Sequence, residues 1–333
     1  MLNITPEEKT MIQGLFYKKG LTAGEIPPDG MLKFLGEIQD DAVLWLDLSR
    51  PTQDELNILR DKMGFHPLAL EDCVHVGQRP KVDDYGGYLF IVLYAVDLCN
   101  TIHAGQIGIF IGPNFMVTVH GTTLNLIDDV LKKSREDSRT VHQGVDFLLY
   151  HLLDASVDRY FPILTSIDEK VDSLEDEIMA SPAQQQLEKI FSLKKDLVTL
   201  RKICAPQRDV INILISREQS LIGPEAAMYY RDIYDHLVRV YDMIENQRDL
   251  LTNAMEIYLS MVSNRLGIIM KSLTVVATIF MPITFITSFF GMNVELVDFL
   301  KAHNQGELFW WLTASMLLLS VGLVYWFKKK EWI

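Results

Sequence analysis

The feature that most constrains this chain is a long stretch, residues 224–290, in which almost nothing interrupts a helix. Pro224 suits a first helical turn, the next proline is Pro282, and Gly267 is the sole glycine between them. At about 1.5 Å per residue, a continuous helix over this stretch is about 100 Å long. No single globular domain holds a helix of that length. The stretch therefore predicts a stalk, a coiled bundle, or a stalk that runs into a membrane.

Hydropathy favours a stalk that runs into a membrane. Residues 266–290 are apolar apart from Lys271 and a few hydroxyl groups, and they are long enough to cross a bilayer. Residues 308–327 form a second, uncharged span. The alternative, two buried helices of a soluble protein, fits this second span poorly because it carries no charge at all. Its ends carry the aromatic residues that are typical of the membrane interface: Trp310, Trp311, Tyr325 and Trp326.

The charges that flank the two spans predict their orientation. Basic residues lie near the start of the first span and after the second, in the tail 328–333, whereas the connecting loop 291–307 is mainly acidic. By the positive-inside rule, both termini are cytoplasmic and the loop is outside, which predicts a multi-pass protein of the cell (inner) membrane. The charges that carry this prediction are Arg265, Lys271, Lys328, Lys329 and Lys330 on the inside, and Glu295, Asp298 and Glu307 against Lys301 in the loop.

The chain before the stalk divides into two parts. Residues 1–145 alternate strand-like apolar runs with helical patterns, which predicts a cytosolic α/β domain, a mixed sheet with flanking helices. Residues 146–223 show no strand signal and predict antiparallel cytosolic helices over 146–180 and 183–216. The strand runs are 42–48, 88–96, and a hairpin formed by 106–111 and 115–120.

Composition excludes several classes of function. The formal charge is −13, and this acidic balance repels nucleic acid while it suits solubility or the attraction of cations. The chain has three cysteines, Cys73, Cys99 and Cys204, without CxxC spacing, which predicts reduced thiols in a cytosolic compartment. Residues 1–13 do not resemble a signal peptide. No catalytic motif and no nucleotide-binding loop occurs, so we predict that the protein is not an enzyme.

One face of the first span carries a regular stripe. Small, hydroxyl and methionine side chains recur at alternating spacings of four and three, the repeat of about 3.5 residues that marks a helix–helix seam. Because two helices cannot enclose a pore, transport requires an oligomer. The stripe alone leaves two interpretations open, pore lining and ordinary helix packing. Its residues are Met270, Thr274, Ala277, Met281, Thr284 and Ser288.

The first span ends in Gly291-Met292-Asn293, and here the sequence resembles the CorA family of magnesium channels. The family signature is a Gly-Met-Asn triplet at the outer end of the first of two membrane helices. In this chain the triplet follows MKSLTVVATIFMPITFITSFF and precedes an acidic loop, a second span and three lysines. Residues 66–72 and 78–81 resemble the family's cytosolic segment and residues 230–236 its stalk, so the resemblance covers essentially the whole chain.

The resemblance implies a funnel-shaped homopentamer in the lipid bilayer that admits Mg²⁺, with Co²⁺ and Ni²⁺ as further ions, and that closes when internal Mg²⁺ is replete. It implies an outer selectivity ring of Asn293 with Gly291 and Met292. Asn carbonyl oxygens could accept hydrogen bonds from the waters that Mg²⁺ holds tightly. A helix C-cap is the alternative role of this triplet. A hydrophobic gate is implied at Met270, Leu273 or Thr274, and Met281.

The resemblance also implies regulatory Mg²⁺ between neighbouring subunits. The matching carboxylates are Asp72 and Asp232, with Glu71 and Asp235 as second-rank candidates. Facing carboxylates repel each other, and a bound cation bridges them, so occupancy favours the closed state. An ordinary surface or capping role is the alternative for each of the four.

One position departs from the family pattern. Relatives carry an asparagine one turn before the methionine that matches Met270, and this chain has Gly267 there, with Asn264 one turn earlier. An inner ion site is therefore not carried over. Two other functions stay open: a Zn²⁺ transporter of the related ZntB branch, against which the absence of a Cys/His cluster argues mildly, and a membrane-anchored sensor that conducts nothing.

Overall fold

The computed structural model describes residues 11–18, 24–25, 42–98, 102–122, 124–136, 143–216, 221–291 and 305–332. The chain forms two compact units, residues 1–176 with 185–254 and residues 177–184 with 255–333.

The first unit contains a mixed sheet whose described strands are ordered β2-β1-β3-β7-β6-β5-β4. Every neighbouring pair is antiparallel except β3 and β7, which are parallel. The predicted hairpin is confirmed, since Ile111 pairs with Met116 across the turn. The strands are β1 (Met11–Lys18), β2 (Gly24–Glu25), β3 (Ala42–Ser49), β4 (Lys81–Asp84), β5 (Leu89–Leu98), β6 (Ile102–Ile111) and β7 (Phe115–His120).

Two short helices cover one face of the sheet. Helix α1 (Gln53–Met63) begins with the capping box predicted by its TxxE motif, in which Thr52 and Glu55 each accept from the other's backbone amide. Helix α2 (Pro67–Val74) follows, with Pro at its first position. Leu59 of α1 and Ala69 of α2 are fully buried in an apolar cluster with the even-numbered side chains of β3, because alternate residues of a strand share a face.

The opposite face carries a buried polar network next to helix α3 (Asn125–Glu136). Asp47 is inaccessible to solvent and accepts hydrogen bonds from Thr118 Oγ1 (2.5 Å) and from Gln13 Nε2 (3.3 Å). His120 Nε2 lies 3.1 Å from Asp47 Oδ1. Gln13 also donates to Asp128 of α3 (2.7 Å), so the network joins β1, β3, β7 and α3.

The helical region that follows the sheet differs from the sequence prediction in one place. The helix predicted over 146–180 is two helices, α4 (Val145–Asp158) and α5 (Tyr160–Ala180), that are separated by a turn at Arg159. At this turn the Arg159 guanidinium pairs with Asp97 of β5 and with Asp129 of α3. These two partners lie far from Arg159 in sequence, so the helical pattern alone could not predict the break. Helix α6 spans Gln184–Ile215.

The long stretch predicted to be helical, residues 224–290, forms one helix almost throughout. Helix α7 spans Ala226–Gly291, 66 residues, with Pro282 inside it, and α8 spans Gln305–Lys329. Both are long and apolar enough to cross a membrane. A proline is tolerated within such a helix because hydroxyl side chains and local adjustment satisfy the freed backbone. The predicted stalk and two apolar helices are confirmed.

Two of the cysteines are free, as predicted. Cys73 and Cys204 are buried without a disulfide, and burial raises the pKa of the Cys204 thiol to about 12. Cys99 lies outside the described residues.

Candidate ion path and cytosolic metal site

The stripe predicted on the first span lies open in the single chain. All seven predicted pore or gate positions are exposed along α7. Exposed methionine, leucine and hydroxyl side chains at a repeat of about 3.5 residues leave a seam that a further helix can pack against. The positions are Met270, Leu273, Thr274, Ala277, Met281, Thr284 and Ser288.

Another face of the same helix is partly covered. Val275 is 5% exposed, and Lys271 contacts Glu331, which follows the second span. Val275 is thus buried, and the residues at helical spacing from it are half-buried: Thr278, Ile279, Pro282, Ile283 and Ile286. The first span therefore uses one face within the chain and leaves the seam for other contacts.

Gly267 lies on the exposed part of α7. No heavy atom lies within 4 Å of the position that a β-carbon would occupy there, so the backbone does not require a glycine at this site. Asn264, one turn earlier, is also exposed. Nothing in the packing of the single chain explains the departure from the family's asparagine.

The outer triplet is described only in part. Gly291 is the last residue of α7 and is exposed. Met292 and Asn293, which the sequence predicts to form the outer ring with it, lie outside the described residues.

The two amino-terminal candidate carboxylates lie on α2. Asp72 is bound by Lys81 of β4, whose Nζ lies 2.9 Å from Asp72 Oδ2 and 2.6 Å from Asp83 Oδ2. Partial burial lowers the pKa of Lys81, but the hydrogen bonds to Asp83 and Asp72 outweigh this effect and raise it. Glu71 is exposed, and its Oε1 atom lies 3.9 Å from His75 Nδ1, which is a weak contact. The ammonium group of Lys81 therefore binds Asp72, the carboxylate that was predicted to bind a metal ion.

The stalk candidates lie on α7. Asp232 and Asp235 are both exposed, and Asp232 Oδ2 lies 3.9 Å from Nε2 of His236, one turn along the helix. Asp72 and Asp232 belong to different elements, and each has its own local partner within the chain. The structure places Asp232 beside a second group of acids that the sequence analysis did not predict.

That group is Asp154 and Asp158 of α4 with His236 of α7. One potential ligand atom from each of these residues lies within 4.8 Å of the other two. The His236 ring lies perpendicular to that of Phe161 (ring centres 6.0 Å apart), and its Nδ1 atom is buried without a hydrogen-bond partner among the described residues. Two carboxylates and an imidazole at this spacing can coordinate a divalent cation.

The electrostatics of this group favour a cation. Burial and the charge of Asp158 raise the pKa of Asp154, with Asp232 adding to the effect and His236 opposing it. Burial and the charges of Asp154 and Asp232 also raise the pKa of Tyr150. Burial is the larger cause of both shifts, and the neighbouring negative charges add to it. A bound divalent cation would relieve the repulsion between these charges.

A sequence signal for this group was present. Asp154 and Asp158 are four residues apart, as are Asp232 and His236, and residues at that spacing share a face of a helix. The signal was ambiguous because acidic pairs are common on solvated helices. Only the packing of α4 against α7 brings the two pairs together.

Comparison with known proteins identifies the fold and the family. The family model described as CorA-like Mg²⁺ transporter protein matches residues 40–329. The chain is 37% identical over 279 residues to a cobalt/magnesium transport protein CorA of Thermotoga maritima, covering 81% of this chain and 77% of that protein. It is 23% identical over 296 residues to the zinc transport protein ZntB of Yersinia enterocolitica, covering 87% and 88%.

A solved structure matches the whole chain. It is the complete CorA magnesium transporter from Methanocaldococcus jannaschii, with a TM-score of 0.83, 26% identity and full coverage of both chains. The resemblance that the Gly291-Met292-Asn293 triplet suggested is thus confirmed. The chain belongs to the CorA family, whose members are membrane transporters of divalent cations and not enzymes.

Proposed function

We propose that this chain forms a homopentameric channel that admits Mg²⁺ to the cytoplasm, with Co²⁺ and Ni²⁺ as further cargo ions. The observation that carries this proposal is the exposed seam of α7, from Met270 to Ser288. A single chain leaves that seam bare. Several copies of α7 packed around an axis would turn its methionine and hydroxyl side chains into a pore lining. The Thermotoga relative is a cobalt/magnesium transport protein, which supports this choice of cargo ions.

The driving force needs no nucleotide. A membrane potential contributes about 2.3 kcal/mol per charge per 100 mV, and a divalent ion carries two charges. In the proposed topology both termini and the acidic first unit lie in the cytoplasm, and the triplet at Gly291 faces outside. The ring of Asn293 carbonyls then meets the hydrated ion first.

Internal Mg²⁺ regulates the channel in this proposal. Asp232 with Asp154, Asp158 and His236 offers one side of a cation site, and Asp72 of a neighbouring subunit offers another. Loss of the cation leaves the acids repelling one another, which loosens the subunit interface and favours opening. The charges of Asp158 and Asp232 support this, since they add to the effect of burial in raising the pKa of Asp154.

Two measurements on the purified full-length protein test the channel. Native mass spectrometry in detergent should give the mass of five chains, each of 38.1 kDa. Proteoliposomes that contain an Mg²⁺-sensitive dye should fill with Mg²⁺ when an inside-negative potential is applied. A monomer that carries no ion would instead favour the alternative function, a membrane-anchored sensor that conducts nothing.

A Zn²⁺ transporter is the second candidate. His236 in the acidic group favours it, because imidazole is a better ligand for Zn²⁺ than for Mg²⁺. The zinc transport function of the Yersinia relative points the same way. Competition between the two ions in the flux assay separates the candidates: Mg²⁺ uptake that persists in the presence of Zn²⁺ favours the channel proposed first.

A further inference from the structure

The residues that follow the second span turn back onto their own helix. Helix α8 ends at Lys329, and Glu331 has a left-handed backbone with φ of 57°. The amide of Trp332 donates to the carbonyl of Phe327 (3.0 Å), and the amide of Glu331 donates to the carbonyl of Lys328 (3.2 Å). These two bonds define a Schellman motif, in which amides beyond the helix end satisfy its last carbonyls.

The motif has the apolar contact that usually accompanies it. The rings of Phe327 and Trp332 lie 5.7 Å apart, and Phe327 is 2% exposed. Among the described side chains of the two spans, Val275 is the only other buried one. The turn is therefore packed against its own helix and does not extend freely into solvent.

Lys271 of the first span reaches this turn. It is the only charged residue in 266–290. Its Nζ donates to the carbonyl oxygen of Glu331 (2.5 Å) and lies 6.0 Å from the centre of the Trp332 ring. A carbonyl oxygen and an aromatic face both attract a cation. The Schellman turn presents the two together, at the point where the first span carries its one charge.

We propose that Lys271, the Glu331 carbonyl and Trp332 form a clasp that positions the gate turn of the first span against the end of the second. Met270 precedes Lys271, and Leu273 and Thr274 lie within the next turn, so the clasp holds the turn to which the gate was assigned. The inference rests on the proposed channel function. Lys271 and Trp332 are positioning residues, since neither is placed in contact with the ion.

The geometry provides a matched pair of variants at Glu331. The acceptor is a backbone carbonyl, so the Glu331 side chain takes no part in the clasp, whereas its left-handed backbone is required. Glycine adopts that conformation freely, so Glu331→Gly should keep the clasp. Proline fixes φ near −65° and has no amide to donate, so Glu331→Pro should open it.

A double-mutant cycle tests the clasp without reference to transport. Thermal unfolding of the full-length protein in detergent is measured for wild type, Lys271→Met, Trp332→Leu and the double variant. If the clasp exists, the double variant loses less stability than the two single losses combined, and Lys271→Arg behaves as wild type. Strictly additive losses overturn the clasp.

Flux in proteoliposomes tests its role at the gate. Lys271→Met, Trp332→Leu and Glu331→Pro should each shift the half-inhibitory internal Mg²⁺ concentration in the same direction, by about two- to fivefold, the effect of one exposed cation–π contact. Glu331→Gly should not shift it. If the unfolding cycle shows coupling between Lys271 and Trp332 but inhibition by internal Mg²⁺ is unchanged in the variants, the gate-positioning role is overturned. A wild type that carries no Mg²⁺ overturns the channel function, and the unfolding cycle then still decides whether the clasp exists.

Discussion

Lys81 Nζ lies 2.9 Å from Asp72 Oδ2, so the carboxylate predicted to bind a regulatory Mg²⁺ already has a cation within its own chain. The pair is partly exposed and joins β4 to α2. If Asp72 binds regulatory Mg²⁺ as proposed, Lys81 competes with the incoming metal ion for it. The proposal therefore predicts that this competition sets the internal Mg²⁺ concentration at which the site fills.

Removal of the competing ammonium should make inhibition more sensitive. We expect Lys81→Met to lower the half-inhibitory internal Mg²⁺ concentration by about two- to fivefold, the range for a partly exposed ion pair. The flux assay with buffered internal Mg²⁺ measures it. Lys195→Met, at an exposed position on α6, serves as the control and should leave the concentration unchanged. Weaker inhibition in Lys81→Met would show that Lys81 supports the site.

The acidic group on α4 and α7 should respond to metal in the isolated protein. Millimolar Mg²⁺ is expected to raise the melting temperature of wild type, because a ligand at 100 times its Kd stabilises the fold by about 2.7 kcal/mol. Asp154→Asn with Asp158→Asn should lose most of this increase. Asp172→Asn, an exposed acid on α5, should retain it. An equal increase in all three proteins would place the metal elsewhere.

In the absence of metal, Asp154 should make the stability of the fold depend on pH. Its pKa is raised in the folded chain, first by burial and then by Asp158, so the folded state binds its proton more tightly than the unfolded state does. Stability should therefore increase as the pH falls through the folded pKa of Asp154. Asp154→Asn should remove that component of the pH dependence. Urea unfolding in metal-free buffer between pH 7 and pH 4 measures it, and an unchanged slope in the variant would contradict the assignment.

The buried His120 should give a pH dependence of the same sense, because its pKa is also raised in the folded chain. Burial lowers its pKa, but the hydrogen bond and charge of Asp47, together with the Thr122 carbonyl and Asp128, raise it overall. The stabilisation is complete below the unfolded pKa of about 6.5 and is lost as the pH rises through the folded pKa. The difference in unfolding free energy between wild type and His120→Gln should narrow from pH 6 to pH 9. A constant difference would mean that the contact stabilises the fold equally in both protonation states.

Gly267 offers a gain-of-function test at the inner mouth. The space around it is open, so the Gly267→Asn variant should fold normally. In the proposed pentamer it would place a ring of asparagine side chains one turn before Met270. We expect a lower half-saturating concentration for Mg²⁺ entry, because amide oxygens accept hydrogen bonds from the ion's waters. Gly267→Ala improves helix propensity without adding an amide and should leave that concentration unchanged. Equal effects of the two variants would attribute the change to the helix.

Apart from the break at Arg159, the helical half of the fold could be predicted from the sequence because its signals are local. The proline-free stretch after Pro224 and the spacing of apolar residues define α7, which the structure shows from Ala226 to Gly291. The sheet could be predicted only as separate strands. The parallel pairing of β3 with β7 joins Leu44 to Phe115, and no local pattern encodes that distant pairing.

The candidate site could likewise be predicted only in part from the sequence. Asp72 and Asp232 came from a resemblance to a family motif, and their local partners, Lys81 and His236, required the structure. The group of Asp154, Asp158 and His236 depends on two helices meeting. Sequence spacing could place each pair on a helix face but could not show that the two faces meet.

The most direct test of the central claim is ion-resolved flux through the Asn293→Ala variant. Proteoliposomes with low, buffered internal Mg²⁺ and an inside-negative potential are compared for wild type and variant, with native mass spectrometry to verify the assembly. We expect rapid Mg²⁺ entry in wild type and loss of entry in an intact Asn293→Ala pentamer. Undiminished Mg²⁺ entry in that variant would show that Asn293 does not form the selectivity ring.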